Sequence, residues 1–411
     1  MPAMLRWRVA CLVSAAIAIS YLDRQTLPVA IQAIERDIPV SNEQFSFLQS
    51  SFLVSYALMY AGGGRLVDVL GTRTGFLIIM VFWSLACASH GLAESVGMLA
   101  VSRFLLGLGE GGGFPAATRA VAEWFPVHER STAMGIINAG TAIGGIVSAP
   151  LIALVLSTSD WRTVFFLTGA IGLAWTVWWW RDYSVPAATD VVEASRPPWN
   201  SLLRIREVWG LVIAKFLSDA AWYFYLFWLP RYLYDARGFD IKAVGAFAWI
   251  PYAAAGAGCL LGGWFSSALL TRGAPLNQAR KIALGASAAM MPVVFFIPSV
   301  PVAWALAIFS IAYFGQQSWS TLVMILPADM FPKSAVGAVA GLVGFGGAMG
   351  GVVFGQVVGY LLDHQFGYGV VFALAGSFHV VAFIILCAAI PVIAPVSLPS
   401  TGRSSAPIPA A

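Results

Sequence analysis

Apolar stretches of about twenty residues, separated by short charged ones, recur along this 411-residue chain. A helix needs about 20 apolar residues to cross the hydrocarbon core of a bilayer, and that rule predicts twelve spans. The first six lie near 9–31, 44–66, 74–93, 96–118, 131–156 and 162–181. The second six lie near 208–234, 243–268, 281–298, 301–325, 336–361 and 368–393. Between the sets, residues 182–207 form a polar linker with Pro186, Pro197, Pro198, Asp190, Glu193 and Arg196. The expected organisation is an N-terminal six-helix half (1–181), the linker, a C-terminal half (208–394) and a Pro/Ser/Ala tail (395–411) too poor in apolar residues to fold. The fold class that follows is an all-α integral membrane protein.

An even number of spans puts both termini on one side. Fifteen Lys and Arg residues fall on that side and five on the other, with Arg24, Arg103 and Lys215 inside spans. The positive-inside rule then predicts cytoplasmic termini. At an offset of 206 residues Phe125-Pro126 aligns with Phe331-Pro332, and Gly135, Gly140, Gly144 and Gly145 align with Gly341, Gly346, Gly350 and Gly351. Two pseudo-symmetric halves with a substrate site between them resemble the layout of major facilitator transporters. The same offset sets Glu110 against Gln316, an ionisable group opposite a neutral one. That asymmetry suits a proton site in the N-terminal half.

Composition narrows the function. The chain is 59% hydrophobic and 10% charged, against about 25% charged in ordinary soluble domains. Its net charge of +4 comes from scattered cations, with no dense basic stripe for nucleic acid. Cys11, Cys87, Cys259 and Cys387 are isolated in apolar runs and read as small core residues, with neither a metal site nor a disulfide framework expected. Arg6 and Arg8 precede the first apolar stretch as in a signal peptide, but its length and Asp23-Arg24 make it a retained helix. Gly107-Leu108-Gly109-Glu110-Gly111-Gly112 matches GxGxxG formally, yet no strand precedes it. Neither GxxxxGK[ST], HExxH nor GxSxG is present, which argues against an ATP-driven pump and a membrane enzyme. No cofactor is implied.

The stretch from Arg103 to Met134 places Arg103 and Glu110 inside a glycine-rich apolar run, and charge at that depth is functional by default. The loop Gly64-Arg65-Leu66-Val67-Asp68-Val69-Leu70-Gly71-Thr72-Arg73 resembles the signature of the major facilitator superfamily. The resemblance implies that Arg65, Asp68 and Arg73 make gating contacts that latch one conformation. Around Thr271-Arg272-Gly273 the second copy has lost the acid. Tyr21-Leu22-Asp23-Arg24, with Arg103, Glu110 and Phe114-Pro115, resembles the anion:cation symporter family, whose members carry organic anions. Glu123-Trp124-Phe125-Pro126, Glu129-Arg130-Ser131, Asp160-Trp161-Arg162 and Phe247-Ala248-Trp249-Ile250-Pro251 are most similar to hexuronate transporters within it.

An anion entering a low-dielectric site needs a cation that keeps its charge, and Arg24 presents a carboxylate-matching fork. Its resting partner is expected to be Asp23 or a bound anion, and a purely structural Asp-Arg pair is the bland reading. Glu110 and Asp23 are the expected proton-coupling carboxylates, the alternative for Glu110 being a fixed partner for Arg103 or a backbone group. Arg103 is expected to be structural or gating. Sugar hydroxyls and ring faces call for Tyr21, Tyr56, Gln316, Gln317, Ser318 and Trp319, at positions the resemblance matches to ligand contacts. Lys215 and Asp219, four residues apart, share a helical face and read as a pair, with Lys215 a secondary ligand candidate. His379 is expected to be a packing residue. The glycines spaced by four in spans five and eleven are expected to let helices approach closely.

The function expected is therefore proton-coupled symport of a small organic anion, a hexuronate such as galacturonate or glucuronate, by a monomer in the inner membrane. The alternatives are another sugar acid or organic acid (an aldonate, aldarate, carboxylate or sulfonate), coupling to sodium, and, from a different class, an integral-membrane enzyme.

Overall fold

A computed structural model describes residues 3–125, 130–184 and 199–396. The described residues form fifteen α-helices in chain order: α1 (Ala3–Ile34), α2 (Asn42–Leu70), α3 (Thr72–Ser89), α4 (Val96–Glu110), α5 (Gly113–Trp124), α6 (Arg130–Leu156), α7 (Trp161–Asp182), α8 (Trp199–Leu202), α9 (Arg206–Arg237), α10 (Ile241–Phe247), α11 (Ile250–Thr271), α12 (Leu276–Ala289), α13 (Val302–Met330), α14 (Lys333–Asp363) and α15 (Gly367–Ala389). Nine helical segments among the described residues are long and apolar enough to cross a membrane. The other three predicted spans fall on α2, on α4 with α5, and on α13, which carry polar residues such as Gln49, Glu110 and Gln316 inward. Leu260, Trp264, Phe296, Trp304 and Ile384 are exposed, as an apolar surface facing lipid requires. Residues 185–198 of the predicted linker and the tail from residue 397 lie outside the described residues. The linker's last part holds the single turn α8.

Three predicted spans break where proline dictates. Proline has no N–H for the carbonyl four residues back and its ring clashes with that carbonyl. Pro115 therefore ends α4 at Glu110 and restarts the chain as α5, where one continuous span was expected. Pro251 splits span eight into α10 and α11, and Pro292 turns the end of span nine into the 3-10 segment Met291–Ser299. Pro230 acts differently, remaining inside α9 while freeing the carbonyl of Leu226. That carbonyl accepts from Gln25 Nε2 of α1 at 3.0 Å and from the Tyr252 hydroxyl at 3.4 Å.

The internal repeat reappears as packing. A Cβ added at Gly140 or Gly144 of α6 would stand 2.3 Å from the carbonyl oxygens of Ser14 and Ala18 on α1. Their repeat mates on α14 pack against α9 in the same manner, Gly346 against Val212 and Gly350 against Phe216. Only glycine permits that approach, so both halves are built on the same contact.

The halves meet on the side away from the termini. Arg231 of α9 pairs with Glu35 at 3.0 Å and donates to the carbonyl of Val40, and the Tyr234 hydroxyl donates to Val29 O at 2.6 Å. Asp363, at the end of α14, accepts from the backbone N–H groups of Asn42 and Glu43 and from Asn42 Nδ2, at 3.1, 2.8 and 2.8 Å. It thereby caps α2 from the other half, where a negative charge is favoured. Ser46 donates to Gly355 O, and Gln356 to Ser50 Oγ. Toward the termini, by contrast, Gly135 of α6 and Gly337 and Gly341 of α14 have no neighbour among the described residues within 4 Å of where a Cβ would stand. Among the described residues, the contacts between the halves gather on the side away from the termini. Within the N-terminal half, Asp37 accepts from Trp161 Nε1 at 2.9 Å and Arg162 at 2.6 Å, which together hold its carboxyl below the usual range. Asp160 caps α7 by accepting from the hydroxyl and backbone N–H of Thr163, and its carboxyl is lowered for that reason.

Candidate substrate and coupling site

Consecutive residues on a helix point about 100° apart, so Asp23 and Arg24 leave α1 in different directions. Arg24 is buried, and its Nε donates to Glu110 Oε2 of α4 at 2.6 Å. The expected partner Asp23 is thus replaced by a carboxylate on another helix. The Arg24 guanidinium carbon lies 4.7 Å from the ring centre of Tyr21, 4.6 Å from Tyr56 and 5.4 Å from Phe52. Each desolvated ring contributes roughly 1–2 kcal/mol of cation–π attraction. The charge is held by one acid and a cage of aromatics.

Asp23 is wholly buried on another face of α1, where its Oδ1 accepts from Cys87 Sγ of α3 at 3.4 Å. Cys87 lies in turn 3.2 Å from the Thr168 hydroxyl of α7. Read as a small core residue, Cys87 is in fact a donor to a buried carboxylate. Arg103 is also wholly buried, 6.0 Å from the Phe52 ring and within electrostatic reach of Asp23 and Glu110. Among the described residues its Nε and both terminal nitrogens have no hydrogen-bond partner, nor do Asp23 Oδ2 and Glu110 Oε1. Arg103 is therefore not a hydrogen-bonded partner of Glu110. Asp23, Arg24, Arg103 and Glu110 are four buried ionisable residues in the N-terminal half, two acidic and two basic.

Four consecutive residues of one helix point to all sides of it, so Gln316, Gln317, Ser318 and Trp319 cannot line one cavity together. Gln316 donates from Nε2 to Asp219 Oδ1 at 3.4 Å, and its Oε1 meets His379 Nε2. Gln317 accepts from Cys259 Sγ at 3.6 Å. Ser318 faces α11 and donates to Gly258 O at 2.9 Å, while Trp319 packs edge-on against His379 and Phe383 of α15. Geometry thus separates the two glutamines, which belong with the polar centre, from Ser318 and Trp319, which hold α13 to its neighbours. His379 does more than pack, since it sets the amide of Gln316.

Of the loop residues, the side chains of Arg65 and Asp68 lie outside the described residues. Arg73 stacks on Trp180 at 4.2 Å and donates to its carbonyl, a contact within the N-terminal half. Nearby Glu123 accepts from Thr72, Arg119 and the Tyr183 hydroxyl, joining α3, α5 and the end of α7. Phe52 was not singled out as a ligand by sequence. Phe52 was within reach of the reading, lying one helical turn before Tyr56 on the same face of α2. Cys87 carried no such signal, because its acceptor is 64 residues away. The described residues hold no group of three or more His, Cys, Asp or Glu placed to share a metal ion.

The model for the Major Facilitator Superfamily matches residues 13–354. The chain is 30% identical over 405 residues to the hexuronate transporter of Escherichia coli (strain K12), covering 93% of each chain. It is 31% identical over 383 residues to a probable sulfoacetate transporter of Cupriavidus necator, covering 87% of this chain and 88% of that one. Among solved structures it superimposes with a TM-score of 0.73, at 18% identity and with 95% and 96% of the two chains covered, on a bacterial homologue of the human lysosomal transporter Spinster, in an inward-facing, occupied conformation.

Proposed function

The chain belongs to the Major Facilitator Superfamily, and from that premise we propose that it is a secondary active transporter moving a hexuronate-like sugar acid together with a proton. The supporting observation is the Arg24–Glu110 pair, which joins α1 to α4 inside a ring cage at the meeting of the halves. In the empty protein Glu110 occupies the guanidinium. A proton on Glu110 releases Arg24, and a substrate carboxylate takes the vacated fork. Without the proton, the substrate competes with a carboxylate already in place. Binding of anion and proton is cooperative for that reason.

Charge counting supports one proton per monoanion. With both acids ionised, Asp23, Arg24, Arg103 and Glu110 sum to zero, and adding one proton and one carboxylate keeps the sum at zero. Uncompensated charge in a closed interior is costly, so the empty and fully loaded forms are the two that reorient. Asp23, beside Cys87, is the second carboxylate available to the proton.

The chain is a multi-pass membrane protein. We place it in the cell (inner) membrane as a monomer, with both termini cytoplasmic, on the fifteen-to-five distribution of cations. The similarity to a sulfoacetate transporter supports a second reading with the same machinery and a smaller, sulfonated anion. Uptake of labelled galacturonate and glucuronate into proteoliposomes decides between them. Accumulation driven by an inward proton gradient is expected, abolished by Arg24→Ala and reduced to exchange by Glu110→Gln. A folded wild type that takes up sulfoacetate and neither uronate would overturn the hexuronate reading, and uptake driven by sodium at constant pH would overturn the proton.

A further inference from the structure

The buried side chain of Gln49 on α2 has no part in the pairs described so far. It is 3% exposed, and among the described residues neither its Nε2 nor its Oε1 has a hydrogen-bond partner. The other two buried glutamines of the described residues both donate to protein, Gln25 to Leu226 O at 3.0 Å and Gln316 to Asp219 Oδ1 at 3.4 Å. A buried amide unpaired at both ends destabilises the fold that carries it and calls for a reason.

Helix phase says where the amide points. At 100° per residue, Phe45, Gln49, Phe52 and Tyr56 fall within an arc of about 60° on α2. One turn after Gln49, Phe52 lies 5.4 Å from the Arg24 guanidinium carbon, stacks on Tyr56 at 5.7 Å and meets the Phe227 ring of α9 at 6.3 Å. One turn before it, Phe45 meets the Trp228 ring at 4.9 Å and the Arg231 guanidinium carbon at 5.1 Å. The flanks of that arc are taken by other helices. Ser46 and Ser50 bond to Gly355 and Gln356 of α14 on one flank, and Ser55 abuts Gly107 of α4 on the other. Gln49 therefore stands on the face that α2 turns to α1 and α9, with its Cα about 4.5 Å along the helix from Phe52 on the far side of the Arg24 cage.

Few groups satisfy both ends of an amide, whose nitrogen offers two donors and whose oxygen only accepts. A carboxylate, which only accepts, leaves Oε1 bare. An ammonium, which only donates, leaves Nε2 bare. Neighbouring hydroxyls accept from one end and donate to the other, and a neutral amide takes them without altering the charge balance around Arg24.

We propose that Gln49 is a specificity-determining ligand that takes hydroxyl groups of the substrate with both ends of its amide, on the far side of the carboxylate held by Arg24. The assignment rests on the reading that Arg24 takes the carboxylate of a sugar acid. Gln49 then weakens the empty protein and strengthens the loaded one, a division that a packing residue does not show.

The test pairs thermal stability with binding, using the purified full-length protein and its Gln49→Leu variant. Because the change removes an unpaired amide, the empty variant is expected to melt within about a degree of wild type or above it. Its dissociation constants for galacturonate and glucuronate are expected to rise at least about tenfold, two hydrogen bonds being lost. Single-deoxy uronates locate the contact: for at least one of them the difference between wild type and variant is expected to shrink, because the hydroxyl it lacks is one the amide holds. A variant that melts lower than that would make Gln49 a support of the fold. A smaller loss of affinity, or the same loss for every deoxy acid as for its parent, would remove Gln49 from the site. Each of these results overturns the assignment and leaves the Arg24 reading intact, whereas wild type binding neither uronate sinks both. If Gln49→Leu does not fold, Gln49→Met faces the same outcomes, and failure of both to fold shows that the fold needs the amide and overturns the proposal.

Discussion

A guanidinium at membrane depth is costly unless a counter-charge or acceptor lies near it, and in the proposed mechanism a single proton on Glu110 releases Arg24. The rings of Tyr21, Phe52 and Tyr56 lie against the guanidinium independently of Glu110, so the proposed exchange of carboxylates leaves these contacts available. Residue-scale chemistry on the far side is different in kind. Asp37 is held below the ordinary carboxylate range by the donors Trp161 and Arg162, so its folded pKa lies under its unfolded value of about 3.9. A depressed acid contributes stability that is present above the unfolded pKa and lost as pH falls through the folded one. The melting temperature of Asp37→Asn should therefore lie below wild type by a constant amount from pH 5 to 8, the gap closing below about pH 4. A gap that stays open in acid would show that Asp37 acts other than by its charge.

At the scale of helices, glycine and proline decide which surfaces touch. Gly350 brings α14 onto the Phe216 carbonyl of α9 as Gly144 brings α6 onto Ala18 of α1. Gly350→Ala overpacks that contact and is expected to cost about 1–3 kcal/mol, seen as a fall of several degrees in the detergent melting temperature. The same change at Gly337, with open space around it, should leave the melt within a degree or so of wild type or raise it slightly, because alanine favours the helix by about 1 kcal/mol. Equal effects at the two sites would contradict the packing argument. Pro230 makes an interface feature from a helix defect, because the Leu226 carbonyl it frees is the one that Gln25 and Tyr252 use.

For the whole molecule the central quantity is the balance between contacts on the far side and contacts on the terminal side. Asp363 holds α2 by three hydrogen bonds across the halves, and each bond to a carboxylate contributes roughly 1.5–3 kcal/mol in favourable cases. Asp363→Ala should shift the population toward the state open on the far side, by tenfold or more if one such bond's worth is lost. Spin labels at the far ends of α2 and α14 would read the change as a second, longer distance in pulsed dipolar spectra. A distance distribution identical to wild type would mean that Arg231–Glu35 and the other far-side contacts suffice without Asp363.

Much of this protein is determined by sequence alone. Apolar run length imposes twelve spans because a bilayer has a fixed thickness, and the 206-residue repeat imposes two like halves because the same glycines force the same close contacts. Arg24, Glu110, Arg103 and Asp23 stand out unaided, since charge inside an apolar run demands a reason. Prolines even mark the breaks in spans four, eight and nine. Which charge meets which was decided only in three dimensions. Arg24 pairs 86 residues away with Glu110 instead of with its neighbour Asp23, and Cys87 becomes the donor to Asp23. Likewise Ser318 and Trp319 turn away from the centre that Gln316 and Gln317 serve. The physical reason is common to all of these. Hydrophobicity sums along the chain and is legible from it, whereas a side chain's direction depends on helix phase, and its partner depends on which helices the folded bundle sets face to face.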